Sequence, residues 1–252
     1  MNDRPDTRVK ATATSVRVLE RVLELGTAPL TEIAREFDLS KSSVHNHLQT
    51  LERLGLVVKE DRTYRVSLRF LEIGTSVRAS VPFYRTGRAE VDRLSNGSGL
   101  AAGLAVLERD EVICLYGTGG QRTGTLSVES GQRLPLHASA PGKAILAELS
   151  ESRLDDVLDT VEYEQFTPET LADESALRDQ LDQVRTRGVA ADRKEWQTEA
   201  SGLAAGFSDS SLVGSIFVAS DDGSLSGKQF QQDIPGLLVS AANKVRQEMR
   251  RQ

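Results

Sequence analysis

Residues 41–54 place Val44, Leu48, Leu51 and Leu54 at spacings of four, three and three, a rhythm that puts all four on one face of an α-helix. Ser40 just before them is a natural N-cap, because its hydroxyl can accept the unpaired N–H groups of the first turn. At about 100° per residue the opposite face carries Ser42, His45, Asn46, Gln49 and Arg53, with Lys41 and Ser43 in the first turn. A helix meant only for water is usually covered with Glu and Lys. Asn and Gln on a mostly uncharged face suit bidentate contact to adenine, and Ser or His can reach other base edges in the major groove. His47 sits at the border of the apolar side and reads as a packed or half-buried residue.

Upstream, Thr31 can cap a short helix with Glu32 in its first turn and Ile33, Ala34 and Phe37 on its apolar side; Asp38 ends it and Leu39 fills the turn. Two helices so joined match the helix-turn-helix, in which one braces across the backbone and the next enters the groove. After Gly55, residues 56–60 and 64–66 flank a turn at Asp61 and Arg62, which predicts a hairpin wing with Lys59, Arg62 and Arg65 placed for phosphates. The rival reading is a solvated three-helix bundle with an incidental hairpin; it needs the cap, the polar face and the basic wing to coincide. Val16, Leu19, Val22, Leu23 and Leu25 mark a supporting first helix that Gly26 ends.

Charge divides the chain. Residues 1–80 hold 13 Lys and Arg against 11 Asp and Glu, whereas residues 81–252 hold 18 against 26. The acidic part will not seek nucleic acid. The length suits two domains. We expect a flexible tail over 1–12, a winged helix-turn-helix over 13–66, a linker helix over 67–80 interrupted by Gly74, and a second domain over 81–252. In that domain 100–108 and 111–117 read as a hairpin through Arg109 and Asp110, with a third strand over 123–130 and a turn over 95–99. Helices follow over 141–149, 152–161 and 173–187, strands over 203–207 and 212–220, and a last helix over 235–251. Strands, then helices, then strands imply an antiparallel sheet with helices packed on it, an α+β class.

One cysteine, Cys114, excludes an internal disulfide and multi-cysteine zinc sites, and three histidines leave little for a metal centre. Neither metal nor cofactor is expected. No long apolar run or signal-type start is present, which predicts a cytoplasmic protein without membrane contact. Cys114, among Val112, Ile113 and Leu115, reads as a small buried hydrophobe.

The segment GQRLPLHASAPGKAILAELS over 131–150 completes a series. Together with SKSSVHNHLQTLERLGLV, and with FTPETL followed by RGVAAD and Glu195, it resembles the IclR family of bacterial and archaeal transcription regulators in order and spacing, over nearly the whole chain. The resemblance implies an N-terminal winged helix and a GAF-like effector domain with a six-stranded antiparallel sheet flanked by helices. It further implies a homodimer or dimer of dimers on a pseudo-palindromic double-stranded operator, with a small organic, aromatic or sugar-derived acid as effector. By the same resemblance Ala138, Ser139, Ala140, Pro141 and Gly142 form the rim of the effector pocket and Asp192 helps line it. Gly202, before Leu203, stands where relatives carry cysteine, and Phe217 and Ala219 stand where small hydroxyls are common.

Physically, Pro141 in a first helical turn leaves neighbouring N–H groups free to meet an anion, and Lys143 adds positive charge. An ordinary helix start explains Pro141, Gly142 and Lys143 equally well. His137 is expected to orient the loop by a hydrogen bond. An enzyme acting on a small acid is the competing function, since Ser139, His137, Asp192 and Glu195 are the ingredients of acid–base chemistry. No G-x-S-x-G elbow or phosphate loop accompanies them, so no catalytic residue is assigned.

Overall fold

The computed structural model of the protein describes residues 8–121, 126, 128–221, 225 and 233–251. The chain divides into two compact units, Met1–Arg78 and Ala79–Gln252.

The first unit runs α1 (Lys10–Leu25), β1 (Thr27–Pro29), α2 (Leu30–Ile33) with a 3-10 turn (Ala34–Glu36), α3 (Lys41–Arg53), β2 (Val57–Glu60), β3 (Thr63–Val66) and α4 (Arg69–Ala79). Its core joins Val18 and Val22 of α1, Ile33 of α2, Val44, Leu48 and Leu51 of α3, and Val57 and Tyr64 of the wing. Full burial of an aliphatic side chain such as Leu48 stabilises by about 1.5–3 kcal/mol over leaving it in water, so these contacts decide where α3 sits. Ser40 caps α3 as expected, its Oγ accepting from Ser43 N at 3.1 Å. Ser40→Ala should cost about 1 kcal/mol in chemical denaturation of the whole chain, with the exposed side chains of α3 untouched.

Several expectations need correction. Leu54 is 55% exposed, because the helix ends there and Gly55, at φ +71, turns the chain so that Leu56 N reaches Leu51 O. Pro29, with no side-chain cap, precedes α2, so Thr31 is inside the helix instead of capping it. Val16 and Leu23 are 48% and 66% exposed, the buried stripe of α1 being Val18 and Val22. Residues 10–12 belong to α1; residues 1–7 of the expected tail lie outside the described residues. Strand β1 pairs with β3 and makes the wing three-stranded in the order β1-β3-β2. Helix α4 passes through Gly74 without a break.

The second unit runs α5 (Tyr84–Ser98), β4 (Ala101–Glu108), β5 (Glu111–Thr118), β6 (Arg133–Leu134), α6 (Ala140–Ala147), α7 (Glu151–Leu158), α8 (Glu174–Arg187), β7 (Ala190–Arg193), β8 (Ser201–Ser208), β9 (Val213–Ser220) and α9 (Ile234–Met249). The six strands form one antiparallel sheet in the order β6-β5-β4-β9-β8-β7. Strand periodicity splits its side chains between two cores. Leu104, Leu203, Phe207, Ile216 and Val218 meet α5 and α9, while Ala105, Ala204 and Phe217 meet α6, α7 and α8. Arg109 and Asp110 both take positive φ, 48° and 66°, in the two-residue hairpin turn that the sequence places there.

The expected turn at 95–99 is instead the last turn of α5, ended by Gly99 at φ +74. Ser95 Oγ donates to Leu100 O and Ser98 Oγ to Leu94 O, which satisfies the hydroxyls while Leu94 packs on the sheet. Of the expected third strand at 123–130, residues 123–125 and 127 lie outside the described residues, and 126 and 128–130 form no strand.

Candidate functional site

Two sites take shape, one in each unit. On α3, Lys41, Ser42, Asn46 and Gln49 are exposed together, and Ser43 and His45 are half-buried beside them. The burial of Val44, Leu48 and Leu51 forces this side outward. His47 is tied to α1, its Nδ1 lying 2.8 Å from Ser15 Oγ, as a half-buried histidine should be.

In the wing Arg62 is exposed beside Asp61, whose φ is 53°. The Lys59 ammonium lies 5.7 Å from the Tyr64 ring centroid. Arg65 is already engaged: its guanidinium donates twice to Glu60 Oε1, at 2.6 and 3.0 Å. It must exchange that surface pair for any phosphate.

The second site is a cavity on the α6 side of the sheet, with about 510 Å³ of empty space including its mouth. Ser139, Ala140, Pro141, Asp192, Gly202, Phe217 and Ala219 of the sequence candidates line it. Four candidates do not, the buried Gly142 of α6 among them. Ala138 is fully buried behind the rim. Leu203 follows Gly202 on β8, and the period of two turns it to the opposite face, against α5 and α9. Lys143 is 0% exposed and its Nζ is 2.5 Å from Glu195 Oε2.

The rim is fixed by its own hydrogen bonds. Ser139 caps α6: its Oγ accepts from Gly142 N at 3.1 Å and donates to Pro135 O at 2.6 Å, while Lys143 N donates to Ser139 O. The Gly142 and Lys143 N–H groups are therefore already used at the start of the helix. Gly142 is needed because a Cβ there would lie 2.4 Å from Leu136 O and 2.5 Å from Pro135 O. Of the two readings of this segment, the ordinary helix start accounts for Gly142 and Lys143.

Asp192, on the edge strand β7, is 6% exposed. Its Oδ1 accepts from Glu195 N at 2.7 Å, so the carboxyl organises the segment that follows it. Burial pushes this carboxyl up to about 6, against the opposing pull of the Glu195 N–H and the Lys143 ammonium. Burial likewise pushes Lys143 down, although Glu195 opposes it. Thr167 and Thr170 hold the same segment, their hydroxyls donating to Lys194 O at 2.7 Å and Glu195 O at 2.5 Å.

That segment delivers residues the sequence reading missed. Trp196 and Gln197 line the cavity, together with Gln132, Leu134 and Ser201. A lone tryptophan four residues after Asp192 was the available signal. The other walls come from Gln132 and Leu134 at β6 and from Leu126 and Val128, in short or irregular stretches that carry no periodicity.

His137 does not enter this cavity. Its Nε2 lies 3.0 Å from Glu164 O, and its ring stacks at 5.7 Å on Phe166, which agrees with a loop-orienting role. Cys114 is buried and its thiol is pushed up to about 12 by that burial, which makes it an inert hydrophobe at neutral pH. Among the described residues no three His, Cys, Asp or Glu side chains converge on a metal position, and no helix is long and apolar enough to cross a membrane.

Comparison with known proteins covers both units. The profile described as "IclR helix-turn-helix domain" matches residues 14–61, and the one described as "Bacterial transcriptional regulator IclR C-terminal" matches 77–247. The chain is 31% identical over 227 residues to the HTH-type transcriptional regulator XynR of Escherichia coli, covering 84% of this chain and 88% of that one. The crystal structure of the Thermotoga maritima IclR is similar in fold, with a TM-score of 0.82 at 20% identity over 95% of this chain and 98% of that one. An IclR homolog from Microbacterium hydrocarbonoxydans, crystallised as a complex with 4-hydroxybenzoate, gives a TM-score of 0.80 at 22% identity, over 96% of this chain and 100% of that one.

Proposed function

The chain belongs to the IclR family of DNA-binding transcription regulators, and from that premise we propose that α3 reads a pseudo-palindromic operator while the α6 cavity binds a small-molecule effector that sets operator affinity. The observation that carries this reading is the coexistence of an exposed, mostly uncharged Ser42–Asn46–Gln49 face on one unit with a lined, largely apolar cavity on the other. Lys41, Ser43 and His45 supplement the base-reading face, and Lys59, Arg62 and Arg65 meet phosphates. The effector is an organic or aromatic acid or a sugar-derived molecule, and the 4-hydroxybenzoate complex of the Microbacterium homolog supports that class. The protein acts in the cytoplasm and catalyses no reaction, as befits a relative of regulators.

The working form is a homodimer, alone or paired into a dimer of dimers. One head reads only a short half-site, and two heads spaced by integral turns supply the affinity. Val16 and Leu23 on α1, and Leu68, Leu71 and Ile73 at the linker, are exposed apolar side chains that support this reading. Selection from random duplexes should enrich an inverted repeat with half-sites one or two helical turns apart. Light scattering should find dimers or larger at micromolar protein. Monomers with and without the selected DNA would contradict the proposal.

A further inference from the structure

Among the described residues that line it, the effector cavity offers an anion no cationic side chain. Among its described liners Asp192 is the one ionisable side chain, and Gln132, Gln197 and Ser201 are neutral. The nearest buried ammonium, Lys143, faces Glu195 at 2.5 Å and stands outside the lining. Arg193, next on the same strand, is exposed to solvent. The charged groups packed around Asp192 are thus Lys143 from α6 and Glu195 and Arg193 from its own segment. The buried set Lys143, Glu195 and Asp192 carries a net charge of minus one when all three are ionised. A carboxylate placed beside Asp192, itself only 6% exposed, takes that to minus two, and like charges so close disfavour each other's ionised form.

On the reading of this cavity as the effector site, we propose that Asp192 selects the ligand's charge state: a neutral hydroxylated molecule binds directly, whereas an acid anion binds only with uptake of one proton, shared between its carboxyl and Asp192. Asp192 is suited to this because its carboxyl is already held up near 6 by burial, so the proton is gained with little penalty just below neutrality. Its Oδ1 also accepts from Glu195 N, a contact that holds the carboxyl in place at the cavity wall. Below pH 6 the anion binds without further proton uptake.

The test uses the full-length protein and two matched probes, 4-hydroxybenzoate and its uncharged counterpart 4-hydroxybenzyl alcohol. Trp196 lines the cavity and is the single tryptophan, so its emission reports binding without a label. Linkage of one proton makes the affinity for the anion fall about tenfold per pH unit between pH 6.5 and 8, while the alcohol's affinity stays flat. Calorimetry of the anion in buffers of different ionisation enthalpy should find about one proton taken up at pH 7.5. Asp192→Asn should flatten the anion's profile. The calorimetric count on the unaltered protein stands independently if that variant folds poorly. Anion binding with a flat profile and no proton uptake overturns the linkage and leaves the effector cavity intact. Failure of both probes at every pH removes the cavity reading, and the proposal with it.

Discussion

Lys143→Ala lowers the unfolding free energy by about 3–5 kcal/mol, the loss expected when one member of a buried ion pair is removed and its partner stays behind. The side chains of Lys143 and Glu195 are 0% and 5% exposed and meet at 2.5 Å. Glu195 Oε1 also accepts from Arg193 N at 3.3 Å, so the stranded carboxylate would keep one weak backbone donor and no cation. Replacing both residues by apolar ones, Lys143→Met with Glu195→Leu, should recover most of the loss, because the desolvation of two charges is then avoided. Urea unfolding of the three proteins tests this. A loss below 1 kcal/mol for Lys143→Ala would mean that water reaches the pair and that it is not the pin we describe. The double replacement should also leave the cavity intact, since Asp192 and the two threonines still hold the segment.

The second large effect lies on α3. Asn46→Ala or Gln49→Ala should each cost about 1–3 kcal/mol on the selected operator and almost nothing on random duplex, because a bidentate amide contact discriminates bases and does not attract phosphate. Both residues are exposed in the free protein, so the replacements do not disturb the core formed by Val44, Leu48 and Leu51. Lys41→Ala and Arg62→Ala should behave oppositely, weakening both DNAs and reducing the salt slope by about one each. Competitive gel-shift titration at fixed salt measures the two losses side by side. Equal losses on operator and random DNA would remove Asn46 and Gln49 from base reading.

The head was legible in the sequence because each of its decisive signals is local. Ser40 and the Val44, Leu48, Leu51 stripe fix both the start of α3 and the face it exposes. What escaped depended on partners remote in the chain: β1 exists because Thr27–Pro29 pairs with Thr63–Arg65, and a three-residue strand has no periodicity of its own. In the second unit the α+β class was readable from long strands such as β4 and β9, whereas β6 and β7 are short edge strands that only their neighbours define. The cavity was legible in its rim and in Asp192. It was misread where a residue type was taken without its direction. Lys143 was counted as a ligand cation although helix α6 turns it toward Glu195, and Leu203 was counted with Gly202 although adjacent strand residues face opposite sides. Trp196 and Gln197 could be placed only once the Asp192 and Lys143 contacts had fixed the segment between β7 and β8.

A ligand held in the cavity of the second unit should set the DNA affinity of the first. A thermal-shift screen of organic acids, aromatic acids and sugars identifies the ligand to use, since saturation at about a hundred times the dissociation constant adds about 2.7 kcal/mol of stability. The decisive measurement is then the operator's dissociation constant with and without that ligand, and the ligand's with and without the operator, at one salt concentration. The two ratios should be equal and differ from one by about fivefold or more, as coupling between two sites requires. A ratio of one in both directions would contradict it, as would consumption of the ligand with product appearing in proportion to protein and time.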